Sequence, residues 1–182
     1  QVQGRAVRPA NLKLVDTSVL IDGRISEVCS TGFIDGTLII PRFIIKEMQH
    51  IADSPDVLRR VRGRRGLDIL KELQDPNSNV TVEVVEDDPD NVTEVDHKLV
   101  ELARQYGAKI LTNDLNLNKV AQIDNIEVLN LNDLANALKP AVLPDEQMQV
   151  KIVKEGKEAL QGVGYLDDGT MVVVDGGKEY LG

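Results

Sequence analysis

Aromatic residues make up only 3% of this 182-residue chain, and tryptophan is absent. Its core must therefore be aliphatic, and stacking of bases on aromatic platforms is a poor candidate for any nucleic-acid contact. Cysteine occurs once, at Cys29, which excludes an intramolecular disulfide or a cysteine-based zinc site and fits a reducing compartment. Positive charge is in deficit: 21 Lys and Arg face 30 Asp and Glu, for a net charge of -9. That balance argues against coating a polyanion by bulk electrostatics, yet leaves room for a local basic face beside an acidic pocket. No apolar run approaches the ~18 residues needed to span a membrane. No signal peptide is visible and Gln1 is not a natural start, so the chain reads as part of something longer.

What is present is an ordinary hydrophobic content of 42%, enough for a packed core, in an alternating pattern. Residues 1–11 are polar and read as a linker. Leu12–Val15, Thr37–Ile40, Val80–Val85, Lys109–Thr112 and Glu127–Leu129 read as strands. Between and after them, helical spacing is predicted from Pro41 through Met48, over Val57–Leu73, Asn91–Tyr106, Leu115–Ala121 and Asn132–Leu138. Short connections between alternating strands and helices predict an α/β domain over 12–139, with a parallel sheet flanked by helices. A linker follows at 140–146. From 147 to 182 the texture is all-β, with strands at Met148–Val153, Gly162–Leu166 and Met171–Val174 and a hairpin signal at Asp168-Gly169. About forty residues is below the size at which domains usually fold unaided, so this segment reads as truncated.

Ligands of open parallel sheets sit outside the carboxyl ends of the strands. Asp16 directly follows the first strand, in Val15-Asp16-Thr17-Ser18, and Asp114 follows the fourth, in Leu111-Thr112-Asn113-Asp114. Singly, each reads as a helix N-cap. Two at strand ends, beside the hydroxyls of Thr17, Ser18 and Thr112, point to something more. Glu47 and Asp96 flank the apolar stripes of their helices, where a solvated face is the bland reading. Brought together, the four would repel one another unless a cation neutralised them. An all-oxygen site suits Mg²⁺ or Mn²⁺, which can activate water for attack on a phosphodiester.

Val15-Asp16-Thr17-Ser18-Val19-Leu20, the segment from Ile40-Pro41 to Glu47, the Asp96 helix and Leu111-Thr112-Asn113-Asp114 resemble the four ordered acidic motifs of the PIN nuclease family. The run from Asp16 to Ile25, with Arg62-Gly63-Arg64-Arg65-Gly66, resembles the bacterial YacL-type PIN–TRAM proteins, and the β segment is similar to a partial TRAM domain. The resemblance implies a three-layer α/β/α fold and a Mg²⁺- or Mn²⁺-dependent nuclease with catalytic and metal-binding acids at Asp16, Glu47, Asp96 and Asp114. It also implies a membrane-anchored parent with this region on the cytoplasmic side. RNA stands ahead of DNA as the partner, and a homo-oligomer is a further expectation, because active-site surfaces in this family often lie near dimer interfaces.

Asp22 reads as a turn residue, with a fifth acid near the metals as the alternative. Asn116 and Asn118 follow Asp114 and are candidates for orienting water, or for capping. Arg59, Arg60, Arg62, Arg64 and Arg65 hold five of the 21 basic residues, and are read as phosphate contacts. Gly63 and Gly66, which weaken a helix by roughly 1 kcal/mol each, support that reading over a plain exposed face. His50 and His97 lack metal-ligand spacing and read as structural. Gly162-Val163-Gly164 is too short for a dinucleotide fingerprint. The competing function is a module that holds metal and nucleic acid without cutting. A phosphoacceptor receiver would need an adjacent acidic pair and a late lysine, and neither is evident.

Overall fold

The computed structural model describes residues 11–139, 145–166 and 169–182. It divides into two compact units, the break falling after Leu134. The first is built on five parallel strands in the order β3-β2-β1-β4-β5: β1 Leu12–Val15, β2 Thr37–Pro41, β3 Thr81–Val85, β4 Lys109–Leu111 and β5 Val128–Leu129. Strand β1 is central, pairing with β2 on one side and β4 on the other, and Leu14 and Val15 are wholly buried. Burial on both faces explains why these strands read as short apolar runs rather than alternating ones.

Two helices, α1 Thr17–Asp22 and α2 Arg24–Ser30, join β1 to β2, and α3 Arg42–Ala52 and α4 Val57–Leu73 join β2 to β3. Helix α5 Val95–Tyr106 precedes β4, α6 Leu115–Ile123 links β4 to β5, and α7 Leu131–Ala137 follows β5. The core is aliphatic, as the shortage of aromatics requires: Leu20, Ile25, Leu38, Ile44, Met48, Leu99 and Ile110 are among its fully buried side chains. The alternation predicted from sequence is present, in a parallel sheet with flanking helices.

Three local differences have physical causes. Helices α1 and α2 were not legible, because they are six and seven residues long and lie either side of Gly23. That glycine takes a left-handed φ of 87°, ending α1 and starting α2, and Asp22 is the last residue of α1 rather than part of a loop. Helix α5 begins at Val95, not Asn91: the Val92 N–H bonds to the Pro89 carbonyl in a turn, and extended Glu94 is the cap. Gly63 and Gly66, read above as a sign of phosphate contact, are buried at helix contacts instead. A Cβ on Gly63 would meet the Ala52 backbone of α3 within 2.3 Å, and one on Gly66 would meet Met48 Sδ within 2.9 Å. Close helix approach accounts for both glycines, so they say nothing about phosphate.

The second unit is a three-stranded antiparallel sheet, β6 Ile152–Glu155, β7 Gly162–Tyr165 and β8 Met171–Val174, followed by a 3-10 turn at Gly177–Tyr180. Strand β6 starts at Ile152, later than the alternation from Met148 predicts. Residues 1–10 of the first proposed linker, 140–144 of the linker at 140–146, and Asp168 of the hairpin signal lie outside the described residues.

Candidate functional site

Because all five strands run the same way, their carboxyl ends share one edge of the sheet, and Asp16 and Asp114 follow two neighbours on it. The Asp16 N–H donates to the Leu111 carbonyl at 2.9 Å, which ties the end of β1 to the end of β4. The Asp16 side chain is 6% exposed and caps α1. Its Oδ2 accepts the Ser18 hydroxyl at 2.5 Å, the Ser18 N–H at 3.4 Å and the Thr112 hydroxyl at 2.8 Å. Its Oδ1 accepts nothing among the described residues. Capping therefore uses one oxygen of this carboxylate and leaves the other without a donor among the described residues.

The same division recurs. Thr17 Oγ1 donates to Glu47 Oε2 at 2.5 Å, joining α1 to α3, and leaves Oε1 without a donor. Asp114 Oδ1 caps α6 by accepting the Asn116 and Leu117 N–H groups at 2.6 and 3.3 Å, and leaves Oδ2 without one. The Asp96 side chain, in the first turn of α5 and half-buried, accepts no hydrogen bond among the described residues. The Asp96 carboxyl is held above the usual Asp range, first by burial and then by the negative charges of Asp16, Asp114 and Glu47, with His97 opposing. Four acids remote in sequence thus share one electrostatic environment.

Hydroxyls stitch the cluster together. Thr112 is fully buried and passes its hydrogen to Asp16 while its oxygen accepts the Asp114 N–H at 2.9 Å. Ser18 Oγ similarly accepts the Asn113 N–H at 3.0 Å, and Asn113 Oδ1 accepts the Leu131 N–H at 3.1 Å, fixing the start of α7 to the same edge. Asn118, one turn beyond Asp114, has a buried Oδ1 with no donor, whereas Asn116 is exposed and engages Asp114 through its backbone.

Among the described residues no three of these side chains are drawn together into a finished metal cage. Their chemistry nonetheless fits a hard cation: the unbonded atoms are carboxylate oxygens, with no counter-ion among the described residues.

The remaining candidates separate. Asp22 is paired with Arg24 rather than left open: its Oδ1 accepts Arg24 Nε at 2.7 Å and the Arg24 N–H at 3.2 Å, and its Oδ2 accepts Nη2 at 2.8 Å. This partner holds the Asp22 carboxyl below the usual range. Of the α4 arginines, Arg60 donates to the Ser54 and Pro55 carbonyls, and Arg65 lies against the Gly23 backbone. Arg59, Arg62 and Arg64 are exposed with no side-chain partner among the described residues. His97 is exposed and pairs with Glu94 at 3.0 Å, and His50 is exposed in the last turn of α3. Sequence reasoning passed over Arg24; its signal was the Asp22-Gly23-Arg24 spacing, in which a left-handed glycine folds the arginine back onto the aspartate.

A model of the PIN domain matches residues 13–123. The chain is similar to an uncharacterized PIN and TRAM-domain containing protein of Bacillus subtilis, 55% identical over 176 residues, covering 97% of this chain and 48% of that one. A second such relative, from Thermus thermophilus, is 48% identical over 96% of this chain and 51% of its own length. The chain thus spans about half the length of these relatives. Among solved structures, a domain of a functionally unknown protein from Methanocaldococcus jannaschii superposes with a TM-score of 0.57 at 27% identity, covering 77% of this chain and 99% of that one.

Proposed function

This chain belongs to the PIN domain family, and from that membership and its acidic cluster we propose that it is a divalent-metal-dependent nuclease, acting on RNA ahead of DNA. The observation that carries the reading is the pattern of unbonded oxygens. Asp16, Glu47 and Asp114 are each anchored through one oxygen and present the other, while Asp96 presents both. Side chains that only capped helices or closed ion pairs would have no reason to share an environment that raises Asp96.

Asp16 Oδ1, Glu47 Oε1, Asp114 Oδ2 and Asp96 would hold Mg²⁺ or Mn²⁺. The bound ion would lower the pKa of a water and stabilise the charge that develops on the leaving oxygen. Ser18 and Thr112 fix Asp16, Thr17 fixes Glu47, and Asp96, free of donors, is the carboxylate best able to accept a proton from a nearby water. Arg59, Arg62 and Arg64 on α4 offer guanidinium forks to backbone phosphates. No helix among the described residues is long and apolar enough to cross a membrane. We propose, from the resemblance to the YacL-type proteins, that this region lies on the cytoplasmic side of a longer, membrane-anchored protein; its single cysteine, buried and free, fits a reducing compartment.

The test is cleavage of labelled RNA and DNA in Mg²⁺, Mn²⁺ or chelator by the native chain and by Asp16→Asn. Cutting that needs metal and disappears in Asp16→Asn supports the reading. Equal cutting by both proteins refutes it, and metal-dependent binding without cutting moves the assignment to a non-cleaving module.

A further inference from the structure

We propose that Arg24, aimed by Asp22 and Asn132, is a phosphate-binding residue that holds the nucleic-acid strand beside the acidic cluster. This rests on the nuclease reading and adds to it a contact that the α4 arginines do not supply.

Position comes first. Arg24 Nη2 donates to Asn132 Oδ1 at 2.6 Å, and Asn132 stands in the first turn of α7, directly after β5. The start of α7 is itself tied to the acids, through Leu131 N–H to Asn113, Asn113 N–H to Ser18, and Ser18 hydroxyl to Asp16. The guanidinium is therefore held at the carboxyl edge of the sheet, where the acids are. Helix α1, which separates Asp16 from the Asp22–Arg24 corner, has six residues and so a length of about 9 Å. That separation is short enough for one bound strand to reach both within a few nucleotides.

Orientation comes second. Asp22 grips Arg24 side-on through Nε and Nη2 and also takes its backbone N–H, so both the main chain and the fork are fixed. Nη1 has no acceptor among the described residues, and the side chain remains 41% exposed. Exposed ion pairs contribute little stability, whereas a guanidinium held with one edge free is well suited to a phosphate oxygen. Arg65 lies against Gly23 at the same corner, so two arginines stand beside Asp22 in a chain of net charge -9. A strand drawn to the acids by metal would meet these guanidiniums just beyond them.

The test uses the full chain in an Asp16→Asn background with Mg²⁺, so that binding is read without cutting. The probe is a fluorescein-labelled single strand, RNA or DNA, in which one uncharged methylphosphonate linkage is walked along the backbone. One or two adjacent positions should weaken binding roughly tenfold when Arg24 is present and leave Arg24→Gln unaffected. Arg24→Gln should also reduce the magnitude of the salt slope by about 0.7, the value for one lost contact to a single strand. Arg24→Lys keeps the charge and loses the fork; it replaces Arg24→Gln if that variant fails to fold, and should retain the slope while losing affinity. Positions that respond equally in both proteins overturn the inference. A native chain that cuts but shows no Arg24-dependent position removes this inference alone. Arg24-dependent binding by a chain that never cuts removes the nuclease reading alone, and a chain that neither binds nor cuts removes both.

Discussion

Thr112 Oγ1 donates to Asp16 Oδ2 at 2.8 Å, joining two residues 96 positions apart at the ends of neighbouring strands. The same oxygen accepts the Asp114 N–H, so one buried hydroxyl sets the spacing of two acids. Thr112→Val, which keeps the shape and removes the hydroxyl, should cost roughly 1–3 kcal/mol of stability in denaturant unfolding. It should also lower metal-dependent cleavage by a factor of ten or more if the spacing matters to the site. Unchanged stability would mean that the hydroxyl is not engaged as described.

Asp96 makes a pH-dependent prediction. Its folded-state carboxyl titrates above the usual Asp range, so its contribution to stability is complete at acid pH and is lost as pH rises through that raised value. By neutral pH the ionised group is a liability in the metal-free protein. Asp96→Asn should therefore raise the metal-free Tm at pH 7, with the gain shrinking toward zero below the ordinary carboxylate range. A variant less stable than the native chain at pH 7 would contradict this.

The glycines of α4 are separable by what their missing Cβ would strike. Gly63→Ala drives a methyl into the Ala52 backbone, which cannot yield easily, and should cost roughly 1–3 kcal/mol despite the gain of about 1 kcal/mol in helix propensity. Gly66→Ala meets the flexible Met48 thioether and should be milder. Thermal unfolding of the two variants gives the ranking directly; the opposite order would refute the packing explanation.

Arg59, Arg62 and Arg64, exposed and without a side-chain partner among the described residues, should be replaceable by Gln with stability changes within about 0.5 kcal/mol. If they contact phosphate, the triple variant should lose affinity for single strands and shed about 2 from the salt slope, near 0.7 for each contact. A slope equal to that of the native chain would assign them to solvent.

Much of the first unit was legible from its sequence because a parallel sheet advertises itself. Leu12–Val15 and Lys109–Leu111 are short apolar runs with Asp or Thr waiting at their ends, and strand direction alone sends those ends to one edge. Glu47 and Asp96 could be singled out as acids flanking buried stripes, but their convergence depends on how α3 and α5 cross the sheet, which spacing does not encode. Helices of six or seven residues, as at Thr17–Asp22, give too few turns for periodicity to register. The Asp22–Arg24 pair was hidden for a related reason: neighbours two apart in sequence meet only because Gly23 adopts a left-handed turn. Gly63 and Gly66 pointed to phosphate contact because spacing along one helix does not show where a second helix approaches it.

Asp16, Glu47, Asp96 and Asp114 should act as one divalent-cation site. Titration of the chain with Mn²⁺, followed by the paramagnetic signal of the free ion, tests that directly. The prediction is saturable binding that weakens about tenfold or more in each of Asp16→Asn, Glu47→Gln, Asp96→Asn and Asp114→Asn, all still folded. Mn²⁺ binding indifferent to all four substitutions, or no saturable binding by the native chain, would contradict it.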